Sequence, residues 1–315
     1  MPMFTPTPTP IPTQTPTPPA IAFLGIGLMG KPMASRLANG GCHLRVWNRT
    51  AAKALAVTGP QVQVCEAAVM AVDGAAVIIS MLEAGNVVGE VIEAVADALE
   101  PGALWIDMSS TQHAEALAFH TSLAARGVRF IDAPVSGGVV GAEAGSLAIM
   151  AGGTPADFEQ AAPMLALMGR PTLVGPAGSG QVAKLCNQLI VGGTLDLIAE
   201  ALLLAQAAGA DPSAVRAALR GGFAESRLLE VHGQRMLERN FMPGGQVKSQ
   251  LKDLHNVLAA AVDAGVALPL AAMVTEHYAS IAAQHPSADQ SAALLALEQR
   301  NPGHRLGSGP DQLPT

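Results

Sequence analysis

The feature that most constrains this chain is a short apolar segment followed at once by a glycine-rich turn. Residues 20 to 24 are apolar, the next six are Gly25-Ile26-Gly27-Leu28-Met29-Gly30, and an apolar stretch then continues to Asn39. This order predicts a strand, a tight turn and a helix. In a G-x-G-x-x-G turn the first glycine permits the bend, the second lets the backbone approach a pyrophosphate, and the third allows close helix packing. We therefore expect these six residues to bind a dinucleotide at the helix N-terminus.

A second strand, from about His43 to Trp47, ends in Asn48-Arg49-Thr50. This position, about 20 residues beyond the glycines, is where the adenosine ribose of a dinucleotide is recognised. A carboxylate here would accept from a free 2′-hydroxyl, whereas an amide, a guanidinium and a hydroxyl can donate to a 2′-phosphate. We predict that NADP(H) is preferred and that NAD(H) is possible. A helix cap at Asn48 or Thr50 with Arg49 in solvent is the alternative, and it can hold at the same time.

Apolar strand patterns near residues 76–80, 104–108, 129–132 and 147–151 alternate with helical patterns. This alternation predicts a doubly wound sheet. Ligands of such sheets bind at the carboxyl ends of the strands, which makes Met81-Leu82 and Ser109-Ser110 candidate cofactor contacts. Each pair could equally be the entry to a helix.

The segment Asp132-Ala133-Pro134-Val135-Ser136-Gly137-Gly138 follows one of these strands. Its backbone N–H groups could form a concavity that binds an anion such as a carboxylate. An ordinary turn built on Pro and Gly is the alternative interpretation.

Beyond Gly180 the strand patterns cease and helical patterns take over, beginning with a long apolar segment from Val182 to Ala208. Within it Lys184, Asn187 and Gln188 share one helical face. Burying an ammonium is costly unless it has a partner or a function. The alternative is a lysine that extends to the surface. A second lysine opens a later helix in Lys252-Asp253-Leu254, where the alternative is a solvated first turn.

These patterns predict an α/β fold, in which a Rossmann-type doubly wound sheet domain at 20–180 is followed by an all-α domain at 181–300. The alternating Thr and Pro of residues 1–19 predict a disordered tail, and so does the composition of 301–315. A helix as apolar as the one that ends at Ala208 needs cover on nearly all sides, so we expect a homodimer or homotetramer.

Composition excludes several classes of function. The net charge is −7, and no cluster of Lys and Arg indicates nucleic-acid binding. No uninterrupted apolar run reaches the ~18 residues of a membrane span. Cys42, Cys65 and Cys186 form neither a metal-ligand nor a CxxC pattern, so we expect no metal site, free thiols and a cytoplasmic location.

Four motifs occur in one fixed order: GIGLMGKPMA at 25–34, DAPVSGG at 132–138, GSGQVAKLCNQ at 178–188 and KDL at 252–254. Together they resemble the β-hydroxyacid dehydrogenase family over residues 20 to 300. The resemblance implies that Lys184 is catalytic, that Asn187 and Gln188 contact the substrate, and that Lys252 closes over the cofactor and substrate. It also implies that the substrate carboxylate is held by Ser136, Gly137 and Gly138.

Within the family the chain is most similar to the tartronate semialdehyde reductases. The residues that carry this similarity are Gln188, Arg220-Gly221-Gly222, Ser226, Arg239-Asn240-Phe241 and Pro243-Gly244. It implies reduction of a small carboxylate-bearing semialdehyde to a hydroxyacid by hydride transfer, with Lys184 as general acid/base. Gly245 stands where that group usually has an aromatic residue, so the exact substrate stays open.

Three alternatives remain at this point. A 3-hydroxyisobutyrate dehydrogenase or a related short-chain semialdehyde reductase would share every residue named above. Imine reductases share the Asn-Arg-Thr stretch, but Lys184 argues against them because that group generally lacks the lysine. A non-catalytic nucleotide-binding scaffold would use the Thr-Pro segment as its partner site.

Overall fold

The computed structural model describes residues 20–314, and the disordered tail predicted for residues 1–19 lies outside them. The described residues form one sheet of nine strands: β1 (Ile21–Leu24), β2 (Leu44–Trp47), β3 (Val62–Val64), β4 (Val77–Ser80), β5 (Leu104–Asp107), β6 (Arg129–Asp132), β7 (Val135–Ser136), β8 (Leu147–Gly152) and β9 (Gly169–Gly175). The spatial order is β3-β2-β1-β4-β5-β6-β8-β7, with β9 paired to β8. The order reverses between β1 and β4, which is where doubly wound sheets bind dinucleotides.

Strands β1 to β6 run parallel, whereas β8 is antiparallel to β6 and β7. Both faces of the sheet are covered by buried apolar clusters. Double cover explains why the central strand β1 is apolar and buried along its whole length. The helices of this domain are α1 (Gly30–Asn39), α2 (Ala51–Ala54), α3 (Ala68–Val72), α4 (Gly85–Val95), α5 (His113–Ala124), α6 (Gly138–Ala144) and α7 (Pro155–Leu165). The predicted Rossmann-type domain is confirmed.

The second domain is helical, as predicted. Its helices are α8 (Ser179–Ala207), α9 (Pro212–Ala218), α10 (Gln234–Glu238), α11 (Val247–Asp263), α12 (Pro269–Ala282) and α13 (Ala293–Arg300), with a π-helical turn before α10. Helix α8 is the axis on which α11, α12 and α13 pack. By length and composition it could cross a bilayer, and the core helix of a helical domain has the same properties.

The disordered tail predicted for 301–315 is wrong for residues 301–314. Leu306 is fully buried, and its carbonyl accepts a hydrogen bond of 2.7 Å from Arg239 Nη1. The Arg239 guanidinium is itself buried and forms ion pairs with Glu298 and Asp311. A buried guanidinium needs such partners. The final segment is therefore packed against the helical domain because it supplies them.

Candidate active site

The glycine turn between β1 and α1 leaves no room for a side chain at its first and last glycines. Gly25 has φ +104°, and a Cβ there would lie 2.3 Å from the Met81 carbonyl oxygen. A Cβ on Gly30 would lie 1.9 Å from the Gly25 oxygen. Above Gly27 the space is open within 4 Å of the position a Cβ would take. The turn thus brings the start of α1 close to the sheet and leaves the space that a pyrophosphate requires.

Asn48 joins the end of β2 to this turn. Its side-chain oxygen accepts from the Ile26 N–H at 2.9 Å, and its amide nitrogen donates to the Thr50 carbonyl at 3.0 Å. The side-chain oxygen is therefore used within the protein, whereas the amide nitrogen keeps a second N–H, so the predicted role as a phosphate donor stays a prediction. Arg49 and Thr50 are exposed, and the Arg49 guanidinium has no hydrogen bond or ion pair within residues 20–314.

A cavity of about 600 Å³ lies beside the turn and is lined by Gly27 and Leu28 together with Lys31 and Lys53. The two lysines are absent from the candidates drawn from the sequence. Lys31 directly follows the last glycine of the turn, and Lys53 follows Thr50 by three residues. Those positions beside two recognised motifs were the signal that could have identified them.

The loops after β4 and β5 meet beside the glycine turn. The Leu82 N–H donates to the Ser109 hydroxyl at 2.9 Å, and Ser109 is fully buried. Its hydroxyl therefore supports the neighbouring loop, whereas a direct cofactor contact was predicted. Ser110 lies one residue further and donates to Asp253 Oδ1 at 3.0 Å. This bond joins the sheet domain to helix α11.

Lys184 lies in the second turn of α8 and is 9% exposed. Its Nζ donates to Gln188 Oε1 at 3.0 Å, and Asn187 donates to the same oxygen at 2.8 Å. The Gln188 nitrogen donates to Gln250 Oε1 at 3.1 Å and to Asp253 Oδ2 at 2.7 Å. With its amide used in four hydrogen bonds, Gln188 orients the lysine, in contrast to the predicted substrate contact.

The charged groups around Lys184 shift its pKa in opposite directions. Burial lowers the pKa of the Lys184 ammonium, Asp253 opposes this shift, and the nearby Lys252 adds to it. Lys252 Nζ donates to the Ser110 carbonyl at 3.0 Å and lies 3.3 Å from Asp253 Oδ1. Two ammonium groups and one carboxylate thus meet at the domain junction, and the net positive charge suits an anionic substrate. No role was assigned to Asp253 from the sequence, although it belongs to the KDL motif.

The residues predicted to bind the substrate carboxylate lie where β7 ends at Ser136 and α6 begins at Gly138. Ser136 is half-buried, while Gly137 and Gly138 are exposed and have φ of +132° and +63°. Such positive φ values favour glycine. Strand β7 packs against α8, which places these residues beside the helix that carries Lys184.

A doubly wound sheet with a glycine turn shaped for a pyrophosphate, joined to a helical domain that presents a buried lysine, defines a dinucleotide-dependent oxidoreductase. More narrowly, the chain belongs to the β-hydroxyacid dehydrogenase family. Residues 20–178 match the family model of the NAD binding domain of 6-phosphogluconate dehydrogenase, and residues 178–297 match that of the NAD-binding region of NADP-dependent 3-hydroxyisobutyrate dehydrogenase. The resemblance seen in the four motifs is confirmed.

Several characterised proteins are similar over most of their length. The 2-hydroxy-3-oxopropionate reductase of Escherichia coli K12 is 40% identical over 285 residues, which cover 88% of this chain and 97% of that protein. The structure of Mycobacterium tuberculosis 3-hydroxyisobutyrate dehydrogenase with L-serine is 32% identical with a TM-score of 0.82, and the match covers 89% of this chain and 99% of that one. A complex of Psf3 with NADP⁺ and 2-OPP shares the fold at 23% identity and a TM-score of 0.80, covering 88% of this chain and 99% of that one.

Proposed function

We propose that this protein reduces tartronate semialdehyde (2-hydroxy-3-oxopropionate) to glycerate with NADPH. The observation that carries the proposal is the buried Lys184 ammonium, held by Gln188 at the junction of the two domains. It lies on a helix that packs against β7, the strand that ends at Ser136. An acid and an anion-binding segment on neighbouring elements are what a small carboxylate-bearing aldehyde requires.

The cofactor is proposed to lie with its pyrophosphate at the glycine turn, where Gly27 leaves open space. When bound, a reduced nicotinamide supplies a hydride for the aldehyde carbon. The protein's own residues bind and orient the substrate. Ser136, Gly137 and Gly138 hold the substrate carboxylate and so fix the distance from the aldehyde to Lys184.

Lys184 acts on the aldehyde oxygen. As negative charge develops there, the ammonium stabilises it and donates a proton, which leaves a neutral amine and a hydroxyl group. One N–H of the ammonium is held by Gln188, so two remain for the substrate. Because reduction uses the ammonium and oxidation of the alcohol uses the amine, alkaline pH favours oxidation. The lowered pKa of Lys184 brings this change closer to neutral pH.

The preference for NADPH rests on the groups at the end of β2. Arg49 is exposed and without a partner among the described residues, so its guanidinium is free to pair with a 2′-phosphate. Lys31 and Lys53, on the wall of the neighbouring cavity, add positive charge. No acidic residue stands at 48–50 to bind the free ribose of NAD(H).

A 3-hydroxyisobutyrate dehydrogenase activity is the second candidate, and Gly245 is the observation that favours it. The tartronate semialdehyde reductases usually have an aromatic residue there, and the three atoms nearest to a Cβ on this glycine all belong to the flexible Gln290 side chain. The test is kcat/KM with NADPH and NADH on tartronate semialdehyde and other short-chain semialdehydes, with 3-hydroxyisobutyrate in the oxidative direction. Higher kcat/KM on a branched semialdehyde than on tartronate semialdehyde would favour the second candidate.

A further inference from the structure

Two carboxyl groups lie side by side beneath the candidate active site. Asp107 and Asp132 end the parallel strands β5 and β6, are partners in register, and are both fully buried. Asp132 accepts two backbone hydrogen bonds from the start of α8: Oδ1 from the Gly178 N–H at 2.7 Å and Oδ2 from the Gln181 N–H at 2.8 Å. One carboxylate therefore binds the first turn of the helix that carries Lys184.

The side chain of Gln181 makes a second connection at the same place. It is fully buried, its oxygen accepts from the Thr111 N–H at 3.1 Å, and its nitrogen donates to the Ser109 carbonyl at 2.8 Å. Ser109 and Thr111 flank Ser110, which binds Asp253. The start of α8 is thus joined to β6 through Asp132 and to the loop after β5 through Gln181.

Two glycines leave this connection no room to move. A Cβ on Gly180 would lie 2.4 Å from the Met150 carbonyl oxygen and 2.5 Å from that of Asp132. A Cβ on Gly152 would lie 2.7 Å from the Gly180 nitrogen. The helix therefore begins in direct backbone contact with β6 and β8, and a shift of its first turn would break hydrogen bonds to buried groups.

We propose that Asp132 is a positioning residue that, through the first turn of α8, sets the place of the Lys184 ammonium relative to the cofactor loop at Ser109 and Ser110. Lys184 follows Gln181 by three residues, so the two lie on one helical face about 4.5 Å apart along the axis. The hydrogen bonds of Asp132 and Gln181 thus hold both the helix that carries the proposed acid and the cofactor loop. The inference rests on the proposed function, because it assigns Asp132 a task only if Lys184 is the proton donor.

Position and charge can be separated in this case. The charged groups that shift the pKa of Lys184 are Asp253 and Lys252, and Asp132 is not among them. Burial raises the pKa of the Asp132 carboxyl itself to about 7. Asp132→Asn should therefore lower the height of the pH–rate profile and leave unchanged the midpoint of its alkaline limb, which reports Lys184. A variant that acted through the charge would move the midpoint.

The test is Asp132→Asn, which turns one acceptor into a donor facing a backbone N–H. We expect kcat for semialdehyde reduction to fall by about 10- to 100-fold, since a misplacement of about 1 Å costs this much, with the Kd of NADPH changed less than about twofold. The matched control is Asp157→Asn. Asp157 is 7% exposed, lies in the first turn of α7 and binds Arg129 and Thr154. The Asp157→Asn variant should be less stable than the parent and should keep the parent's kcat.

Gln181→Met provides a second route if Asp132→Asn does not fold, because it keeps the volume and removes both side-chain bonds. It should lower kcat with unchanged NADPH affinity and unchanged pH midpoint. The positioning role would be overturned if the parent is active and neither Asp132→Asn nor Gln181→Met, when folded, loses kcat. An equal loss of kcat in Asp157→Asn would overturn it as well. Absence of parent turnover on every semialdehyde would instead refute the proposed function.

Discussion

The Lys184 ammonium donates a hydrogen bond of 3.0 Å to the side-chain oxygen of Gln188, one turn later on the same helix. Gln188 in turn is held by Gln250 and Asp253 of helix α11. The orientation of the proposed acid thus depends on a neutral amide whose own orientation is set by another helix. An amide that binds a lysine without taking its proton leaves the ammonium able to act on a substrate.

Gln188→Met should therefore lower kcat for reduction by about tenfold or more, because it removes four hydrogen bonds while keeping the side-chain volume. KM should change little, since the amide makes no contact that a substrate needs. Steady-state kinetics measure both values. Gln284→Met, at an exposed glutamine in the same domain, is the control. A large rise in KM with unchanged kcat would instead assign Gln188 to substrate binding.

Arg49→Ala should remove most of the preference for NADPH. A guanidinium–phosphate contact contributes roughly 1.5–3 kcal/mol, or about 10- to 100-fold in affinity. We expect the parent to favour NADPH by at least about tenfold in kcat/KM, and the variant to keep its activity with NADH. Arg300→Ala, at another exposed arginine, should leave the preference intact. A parent that prefers NADH, or an Arg49→Ala variant with the preference unchanged, would contradict this assignment.

Asp107 should make the protein less stable as pH rises. Burial raises the pKa of this carboxyl from 3.8 to about 6, and its Oδ2 has no hydrogen-bond partner. A raised pKa means that the stabilisation is complete below pH 3.8 and is lost as pH increases through about 6. The loss is on the order of 3 kcal/mol for a shift of about two units.

Asp107→Asn keeps the oxygen that accepts from Ser80 and Ser109 and places an amide where the partnerless oxygen lies. Its Tm relative to the parent, measured by thermal unfolding, should increase between about pH 4 and pH 6 and stay nearly constant above about pH 7. Asp73→Asn, at an exposed position, is the control. A constant difference in Tm between Asp107→Asn and the parent would show that Asp107 keeps an ordinary pKa.

The protein should be at least a dimer that associates through α8. Ile190, Leu197 and Leu204 recur every seven residues along this helix and are 65%, 66% and 69% exposed. A stripe of this kind is typical of a helix that packs against a partner. Leu197→Glu should reduce the mass measured by light scattering to that of one chain, whereas Met70→Glu in the sheet domain should not. A monomeric parent at micromolar concentration would refute the prediction.

Local motifs account for what could be predicted from the sequence. The glycine turn and the helix that carries Lys184 each depend on residues a few positions apart, and both formed as expected. The predicted loop at Ser136–Gly138 is instead the end of β7 and the start of α6. The bond from Ser110 to Asp253 joins residues 143 positions apart, and that from Gly178 to Asp132 joins residues 46 apart. Such partners are far apart in the sequence and are brought together only by tertiary packing.

The final segment, residues 301–314, also depends on contacts between residues far apart in the sequence. Its Gly, Pro and polar residues are typical of a disordered tail, and the prediction followed them. Order comes from the buried Arg239, whose guanidinium needs Asp311 and the Leu306 carbonyl. No local pattern around Arg239 indicates that its partners lie at the far end of the chain.

The most direct test of the central claim is turnover of tartronate semialdehyde with NADPH by the parent and by Lys184→Ala. The variant should bind NADPH as the parent does and lose about 10²–10⁴-fold in kcat, the usual contribution of a positioned acid. Lys184→Arg should not restore the rate, because a guanidinium is too weak an acid. Lys248→Ala, at an exposed lysine, should be as active as the parent. Parent-like turnover in Lys184→Ala would contradict the account.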